Sequence, residues 1–171
     1  MKKLLIMLLL LSCTHVASAS AIADGYAAYN KQDYATAIKH WRSGAELGEA
    51  GAQSALGYMY SAGLGVRQDY KEANRLYKLA AEQGEATAQS NLGINYYSGL
   101  GTEKDQIEAV RWFRLAANNG NVAALLQLAS MYAAGEGGVR RDHTEAYNLY
   151  KAAAERGDSS AQLRGDLSAK I

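Results

Sequence analysis

Apolar and polar residues alternate along this chain with the period of an α-helix, and glycines interrupt the pattern at regular distances. Apolar residues recur at positions i, i+3, i+4, i+7 and i+8, a spacing that places them on one face of a helix. This stripe occurs first at Ala73, Leu76, Tyr77, Ala80 and Ala81, then at Ala109, Trp112, Phe113, Ala116 and Ala117, and again at Ala146, Leu149, Tyr150, Ala153 and Ala154. The pattern predicts three similar amphipathic helices, which we term B helices.

The stretch before each B helix also repeats, with a period of 36 residues. Its equivalent positions are Leu56-Gly57, Leu92-Gly93 and Leu128-Ala129, then Tyr60, Tyr96 and Tyr132, and then the loops Gly63-x-Gly65, Gly99-x-Gly101 and Gly135-x-Gly137. The extra Gly138 shifts the third unit by one residue. A second helix, the A helix, is therefore predicted in each unit, and units of this length stack on one another to share a continuous core.

Glycine and aspartate mark the ends of these predicted helices. Gly57 lies inside an A helix, where glycine costs about 1 kcal/mol relative to alanine, so we expect the partner helix to approach closely there. Gly63 and Gly84 follow helical stretches, as left-handed residues that end helices do. Three Asp-x-x-Glu pairs precede the B helices and resemble capping boxes: Asp69 with Glu72, Asp105 with Glu108, and Asp142 with Glu145.

The unit ALGYMYSAGLGVRQDYKEANRLYKLAAEQG resembles the Sel-one-like repeat (SLR), a relative of the tetratricopeptide repeat. Three such copies cover residues 52–157, and GYAAYNKQDYATAIKHWRSGAELG resembles the shorter tetratricopeptide form. The chain departs from the family at Arg67, Glu103 and Arg140, where proline is frequent, and at the extra Gly138. The resemblance implies an all-α fold, a right-handed α-solenoid of stacked antiparallel helix pairs.

The expected organisation divides the chain into a leader, four repeats and a cap. The boundaries are 1–19 for a signal peptide (or a lipoprotein signal to residue 12), 20–50 for a tetratricopeptide-like repeat, 51–86, 87–122 and 123–158 for SLR repeats, and 159–171 for a C-terminal capping helix.

The first residues have the features of an export signal. Two lysines precede the apolar run LLIMLLLL, and small residues then stand at A-x-A spacing, which favours cleavage after Ala19. In the alternative reading, Leu10-Leu11-Ser12-Cys13 is a lipobox and Cys13 carries the lipid anchor. Either route predicts an exported protein, periplasmic or secreted, or attached to the envelope by lipid. The apolar run is too short to span a bilayer, so the mature chain is expected to have no transmembrane span.

Charge and cysteine content exclude several functions. The chain has 18 Lys and Arg against 17 Asp and Glu, and loss of Lys2 and Lys3 with the leader would leave a slight acidic excess. This balance gives no electrostatic footprint for nucleic acid. Cys13 is the single cysteine, so a chain cleaved after Ala19 has no disulfide.

We expect no enzyme, cofactor or metal site. His40 and His143 lie far apart in sequence, and no Gly-Lys-Ser/Thr follows the Gly-x-Gly loops. The resemblance connects β-lactamase-like activity with cysteine-rich members, but this chain lacks their cysteines and a Ser-x-x-Lys motif. The Arg140-Arg141 pair near His143 is a solvated loop cluster or a supplementary contact for an acidic partner.

Binding of a protein or peptide through the concave surface is the function that such a repeat predicts. If Leu56, Gly57 and Tyr60 face the core, residues on the other side of the A helices face the groove. The predicted site comprises Tyr26, Tyr29, Ser54, Tyr58, Ser61, Ser90, Ile94, Tyr97, Leu126 and Ser130. Two alternatives stay open: Tyr58 and Tyr97 pack between neighbouring A helices, or the protein binds cell-wall glycan or peptidoglycan. The partner's identity and the oligomeric state are not encoded in these patterns.

Overall fold

The structure, a computed structural model, describes residues 21–161, and within this range helix follows helix without a strand. Helix α1 covers residues 21–30, and further helical residues begin at 159. The others are α2 (Tyr34–Glu46), α3 (Ala50–Ala62), α4 (Tyr70–Glu82), α5 (Ala86–Ser98), α6 (Gln106–Asn118), α7 (Val122–Ala134) and α8 (His143–Glu155). The predicted leader 1–19, Cys13 and residues 162–171 of the predicted cap lie outside the described residues.

Each helix packs against the next helix of the chain. Packing is most extensive within the pairs α3–α4, α5–α6 and α7–α8, and the pairs are joined through α2–α3, α4–α5 and α6–α7. The odd-numbered helices are the predicted A helices and the even-numbered helices include the predicted B helices. This consecutive pairing confirms the predicted all-α solenoid of stacked helix pairs.

A glycine on the A helix allows the close approach of the two helices within a pair. A Cβ atom at Gly57 would lie 2.9 Å from two ring carbons of Tyr77, and one at Gly93 would lie 2.7 Å from two ring carbons of Phe113. Carbon atoms in favourable contact are about 3.5–4.0 Å apart, so neither position has space for a side chain. The expected close approach at Gly57 is confirmed.

The buried side chains form a series of clusters along the chain rather than one central core. The first cluster contains Trp41, the second Tyr77 and the third Phe113. Tyr60 packs against both the first and the second cluster, and Tyr96 packs against both the second and the third. Half-buried tyrosines on the A helices therefore join the core of one repeat to that of the next. This arrangement is how a solenoid obtains a continuous core from units that cannot bury their apolar faces alone.

The three predicted aspartate caps are present. Asp69 accepts hydrogen bonds from the backbone N–H groups of Lys71 and Glu72, and Asp105 accepts them from Ile107 and Glu108. Asp142 accepts one from Glu145 in the same way. Each cap satisfies backbone donors that the first turn of a helix leaves without a partner.

In a capping box, the glutamate also accepts a hydrogen bond from the backbone N–H of the cap residue. This part of the prediction is wrong at Asp69 and Asp105. Glu72 binds Arg75 at 2.7 Å instead of returning to the backbone of the cap residue, and Glu108 binds Arg111. The reason is that the N–H of Asp69 already donates to the carbonyl of Tyr60 at 2.9 Å, as the N–H of Asp105 does to Tyr96. The cap backbone therefore has no donor left for the glutamate.

The Gly-x-Gly loops connect the A helix to the B helix within each SLR repeat. Their first glycine ends the A helix in the left-handed region, as at Gly63 with φ +68°. Their second glycine lies against the preceding B helix or its equivalent: a Cβ at Gly65 would be 2.7 Å from Cβ of Tyr34, and one at Gly137 would be 2.7 Å from the carbonyl oxygen of Gln106. These contacts explain the recurrence of the loop by packing.

Replacing Gly93 with leucine is expected to lower the free energy of unfolding by about 1 to 3 kcal/mol, because the added side chain overlaps the ring of Phe113. Gly51 is a matched control, since it is also helical but a Cβ there would meet only Cδ1 of Ile22, at 3.4 Å. Gly51→Ala should cause no loss. Urea denaturation followed by circular dichroism measures both, and equal stability of Gly93→Leu and the unmodified chain would contradict the packing.

Candidate functional site

One exposed position recurs on each A helix and forms a row along the solenoid. Tyr26 on α1 is 49% exposed, Tyr58 on α3 43% and Ile94 on α5 36%, and Ser130 continues the row on α7. These four members of the predicted site therefore have accessible side chains. We call the surface that contains this row the A face.

A second group of predicted residues is only partly accessible. The Ser61 hydroxyl donates to the carbonyl of Tyr58 and lies 3.2 Å from the Tyr77 hydroxyl. The Tyr97 hydroxyl donates to Glu136 at 2.8 Å, and this hydrogen bond to a carboxylate raises the pKa of Tyr97. Burial raises the pKa of Tyr77 to about 12. Ser61 and Tyr97 therefore lie partly beneath the A face and are only partly accessible on it.

Three predicted surface residues are not exposed. Ser54 is 6% and Ser90 4% exposed, and Leu126 is half-buried among two core clusters with Leu149. The predicted exposure is wrong for Ser54 and Ser90, whereas Leu126 keeps a partly accessible side chain. A serine side chain is too short to reach past the larger side chains of neighbouring helices, and a leucine next to apolar neighbours gains free energy by burial.

The N-terminal end of the A face contains a cavity of about 240 Å³. Aromatic rings from three successive helices surround it: Tyr26 and Tyr29 of α1, Trp41 of α2 and Tyr58 of α3. The Tyr26 and Trp41 ring centroids are 5.1 Å apart in an edge-to-face arrangement, and Tyr29 meets Tyr58 similarly at 6.3 Å. These distances are those of interacting aromatic pairs, so the rings hold one another in place. We call this space the aromatic cavity.

Glu85 brings a negative charge to the edge of the aromatic cavity. Its carboxylate caps α5 by accepting from the N–H groups of Thr87 and Ala88, which fixes its position. Burial, followed by the charge of Glu85, raises the pKa of Tyr26. Ser54 also lines the cavity, so this buried predicted residue is still part of the site.

A larger cavity of about 710 Å³ lies between α6 and the loop that connects α7 to α8. Ile107, which is 69% exposed, and the arginines Arg111, Arg114 and Arg140 line it. The sequence pattern singles out Arg140 but not Ile107. The available signal was an isoleucine at a B-helix position that Lys71 occupies one repeat earlier.

Candidate metal ligands do not come together among residues 21–161. No group of three or more His, Cys, Asp or Glu side chains in this range is placed to hold a metal ion. His40 lies on α2 and His143 begins α8. Within the same range, each helix falls short of the length and apolar character that crossing a bilayer requires.

Comparison with known protein families identifies four consecutive repeats along the chain. The family model described as Sel1 repeat matches residues 25–49, 50–85, 86–121 and 122–158. No curated protein matches the chain in the corresponding comparison.

Two solved structures are similar in sequence and in fold. One is a Sel1 repeat protein from Oxalobacter formigenes, with 37% identity and a TM-score of 0.75 over 80% of this chain and 56% of that one. The other is a protective antigen present in uropathogenic Escherichia coli strains, displaying an SLR fold, with 35% identity and a TM-score of 0.80 over 86% of this chain and 32% of that one. The chain therefore spans about half and about a third of their respective lengths.

Proposed function

Because the chain belongs to the Sel1 repeat family, we propose that it is a scaffold that binds a protein or peptide along its A face. The Sel1 repeat is a generally non-catalytic helical scaffold that mediates protein interaction. The proposal for this chain is more specific in two respects: the A face carries the interaction, and the protein acts after export.

The proposal that the A face carries the interaction rests on the row of exposed positions on the A helices. Tyr26, Tyr58 and Ile94 expose large apolar side chains at one position of three successive repeats. Solenoids use such extended surfaces for binding, and aromatic residues are enriched among the residues that dominate binding energy. Of the two tyrosines that the alternative reading packs between neighbouring A helices, Tyr97 is only partly exposed, whereas Tyr58 is 43% exposed.

Position-specific crosslinking in the producing cell tests the A face. A photo-reactive phenylalanine in place of Tyr58 is expected to capture a partner polypeptide, because this residue is 43% exposed on α3. The same group in place of Leu79, which is 39% exposed on α4, is the matched control and should capture little. Mass spectrometry of the products identifies the partner. Equal capture from both positions, or capture of wall glycan instead of polypeptide, would contradict the proposal.

Export is proposed from the basic and apolar leader together with the small residues before Ser20. Intact-mass analysis of the protein isolated from the periplasm, the medium and the membrane fraction measures it. We expect a chain that begins at Ser20, or one that begins at an acylated Cys13. A chain that retains Met1 and is confined to the cytoplasm would refute export and leave the binding proposal to be decided by the crosslinking.

A further inference from the structure

We propose that the aromatic cavity receives the cationic side chain of a lysine or arginine from the polypeptide that binds the A face, a proposal that rests on the function above. The cavity would then supply a charged anchor at one end of an interface whose exposed row continues with Ile94 and Ser130. Three features of the aromatic cavity support this proposal: the arrangement of its rings, the charge of Glu85 and the open space beside Gly51.

The rings offer a surface that attracts cations. Trp41 lies between Tyr26, at a centroid distance of 5.1 Å, and Tyr29, at 5.9 Å, and Tyr58 closes the other side of Tyr29. A cation within about 6 Å of an aromatic face is attracted by the ring quadrupole. The exposed rings are those of Tyr26 and Tyr58, and Trp41, which is 1% exposed, supports them from behind. The indole N–H of Trp41 donates to the carbonyl of Ile22, so the polar edge is satisfied within the fold.

The charge of the cavity is negative. Of the described residues that line it, Glu85 is the one charged side chain, and the remaining polar groups include Ser54 and Asn91. The backbone donors of α5 hold the Glu85 carboxylate without an intervening lysine or arginine, and an oxygen of a carboxylate has more than one acceptor site. A cation that enters therefore gains a counter-ion as well as the rings, whereas an anion would be repelled by the Glu85 carboxylate.

Space at the floor distinguishes this repeat junction from the next one. Gly51 lines the cavity, and a Cβ there would meet only Ile22. The equivalent residue one repeat later is Thr87. The exposed aromatic pair also changes, because Tyr26 and Tyr58 at this junction correspond to Tyr58 and Ile94 at the next. The ring cluster and the open floor thus coincide at the first junction.

The test uses the full chain with the substitution Trp112→Leu, which leaves Trp41 as the only tryptophan. Leucine already occupies the equivalent positions in the neighbouring repeats, Leu76 and Leu149. Blocked Gly-X-Gly tripeptides, with X as lysine, arginine, norleucine or glutamate, are titrated while the fluorescence of Trp41 is followed. The lysine and arginine peptides are expected to bind about tenfold more tightly than the norleucine peptide. Equal binding of lysine and norleucine would overturn the proposal, because it would show an apolar pocket.

Two substitutions taken from the chain's own repeats give the matched variants. Glu85→Asn removes the charge but keeps a cap, since Asn121 caps α7 at the equivalent position through the N–H of Ala124. Tyr58→Ile installs the residue of position 94. Each should weaken the lysine peptide about tenfold, while Glu85→Asn leaves the norleucine peptide unchanged. Circular dichroism checks that both variants fold. Unchanged affinity of lysine for folded Glu85→Asn would overturn the role of the charge.

Tetramethylammonium chloride is the probe for a free small cation. If this ion binds about tenfold more tightly than the lysine peptide, the cavity prefers a free small cation, and the claim that a polypeptide supplies the cation is overturned. Weaker binding of the ion supports that claim. The crosslinking experiment separates this inference from the proposed function. Capture of a partner from position 58 together with no preference for cationic peptides would refute the cavity alone, and absence of capture together with cation-selective binding would refute the A face as an interface.

Discussion

Each helix pair is closed by contact between a residue with little or no side chain on the A helix and an aromatic ring on the helix that follows. Gly57 meets Tyr77, Gly93 meets Phe113, and Gly25 lies against Trp41 in the same manner. Ala129 and Tyr150 share a buried cluster in the last pair. Because the contact recurs, the distance between helices within each pair is set, and the exposed positions of the A helices form a regular row. The A face is therefore a consequence of the internal packing.

The same contact explains why the aromatic cavity occurs at one end of the row. Trp41 occupies the ring position of the first pair, where the later pairs have Tyr77 and Phe113, and its larger ring system extends to the side chains of α1. Tyr26 and Tyr29 pack on it, and Tyr58 of the next repeat completes the enclosure. A residue that holds the first helix pair together thus also forms a wall of the proposed binding site.

The sequence alone was sufficient to predict the fold class, the helix pairs and the close approach at Gly57, because each depends on a local pattern that repeats. Exposure was harder to predict. Ser54 and Ile94 both belong to the predicted stripe, yet Ser54 is buried and Ile94 is exposed, since exposure depends on side-chain length and on neighbours from other repeats. The role of Glu72 differed for a similar reason, as the carbonyl of Tyr60, a residue of the preceding helix, satisfies the cap backbone. The cavity depends on residues from successive repeats, which periodicity within one repeat does not bring together.

A double-mutant cycle between positions 93 and 113 tests the central contact most directly. The four chains are the unmodified protein, Gly93→Ala, Phe113→Leu and the combination, and urea denaturation gives the free energy of unfolding of each. If the ring packs directly against the glycine, Gly93→Ala should lower the free energy of unfolding less once the ring has been replaced. The expected coupling is about 0.5 to 3 kcal/mol, as for residues in direct contact. Additive effects within about 0.5 kcal/mol would show that the two positions act independently and would contradict the account.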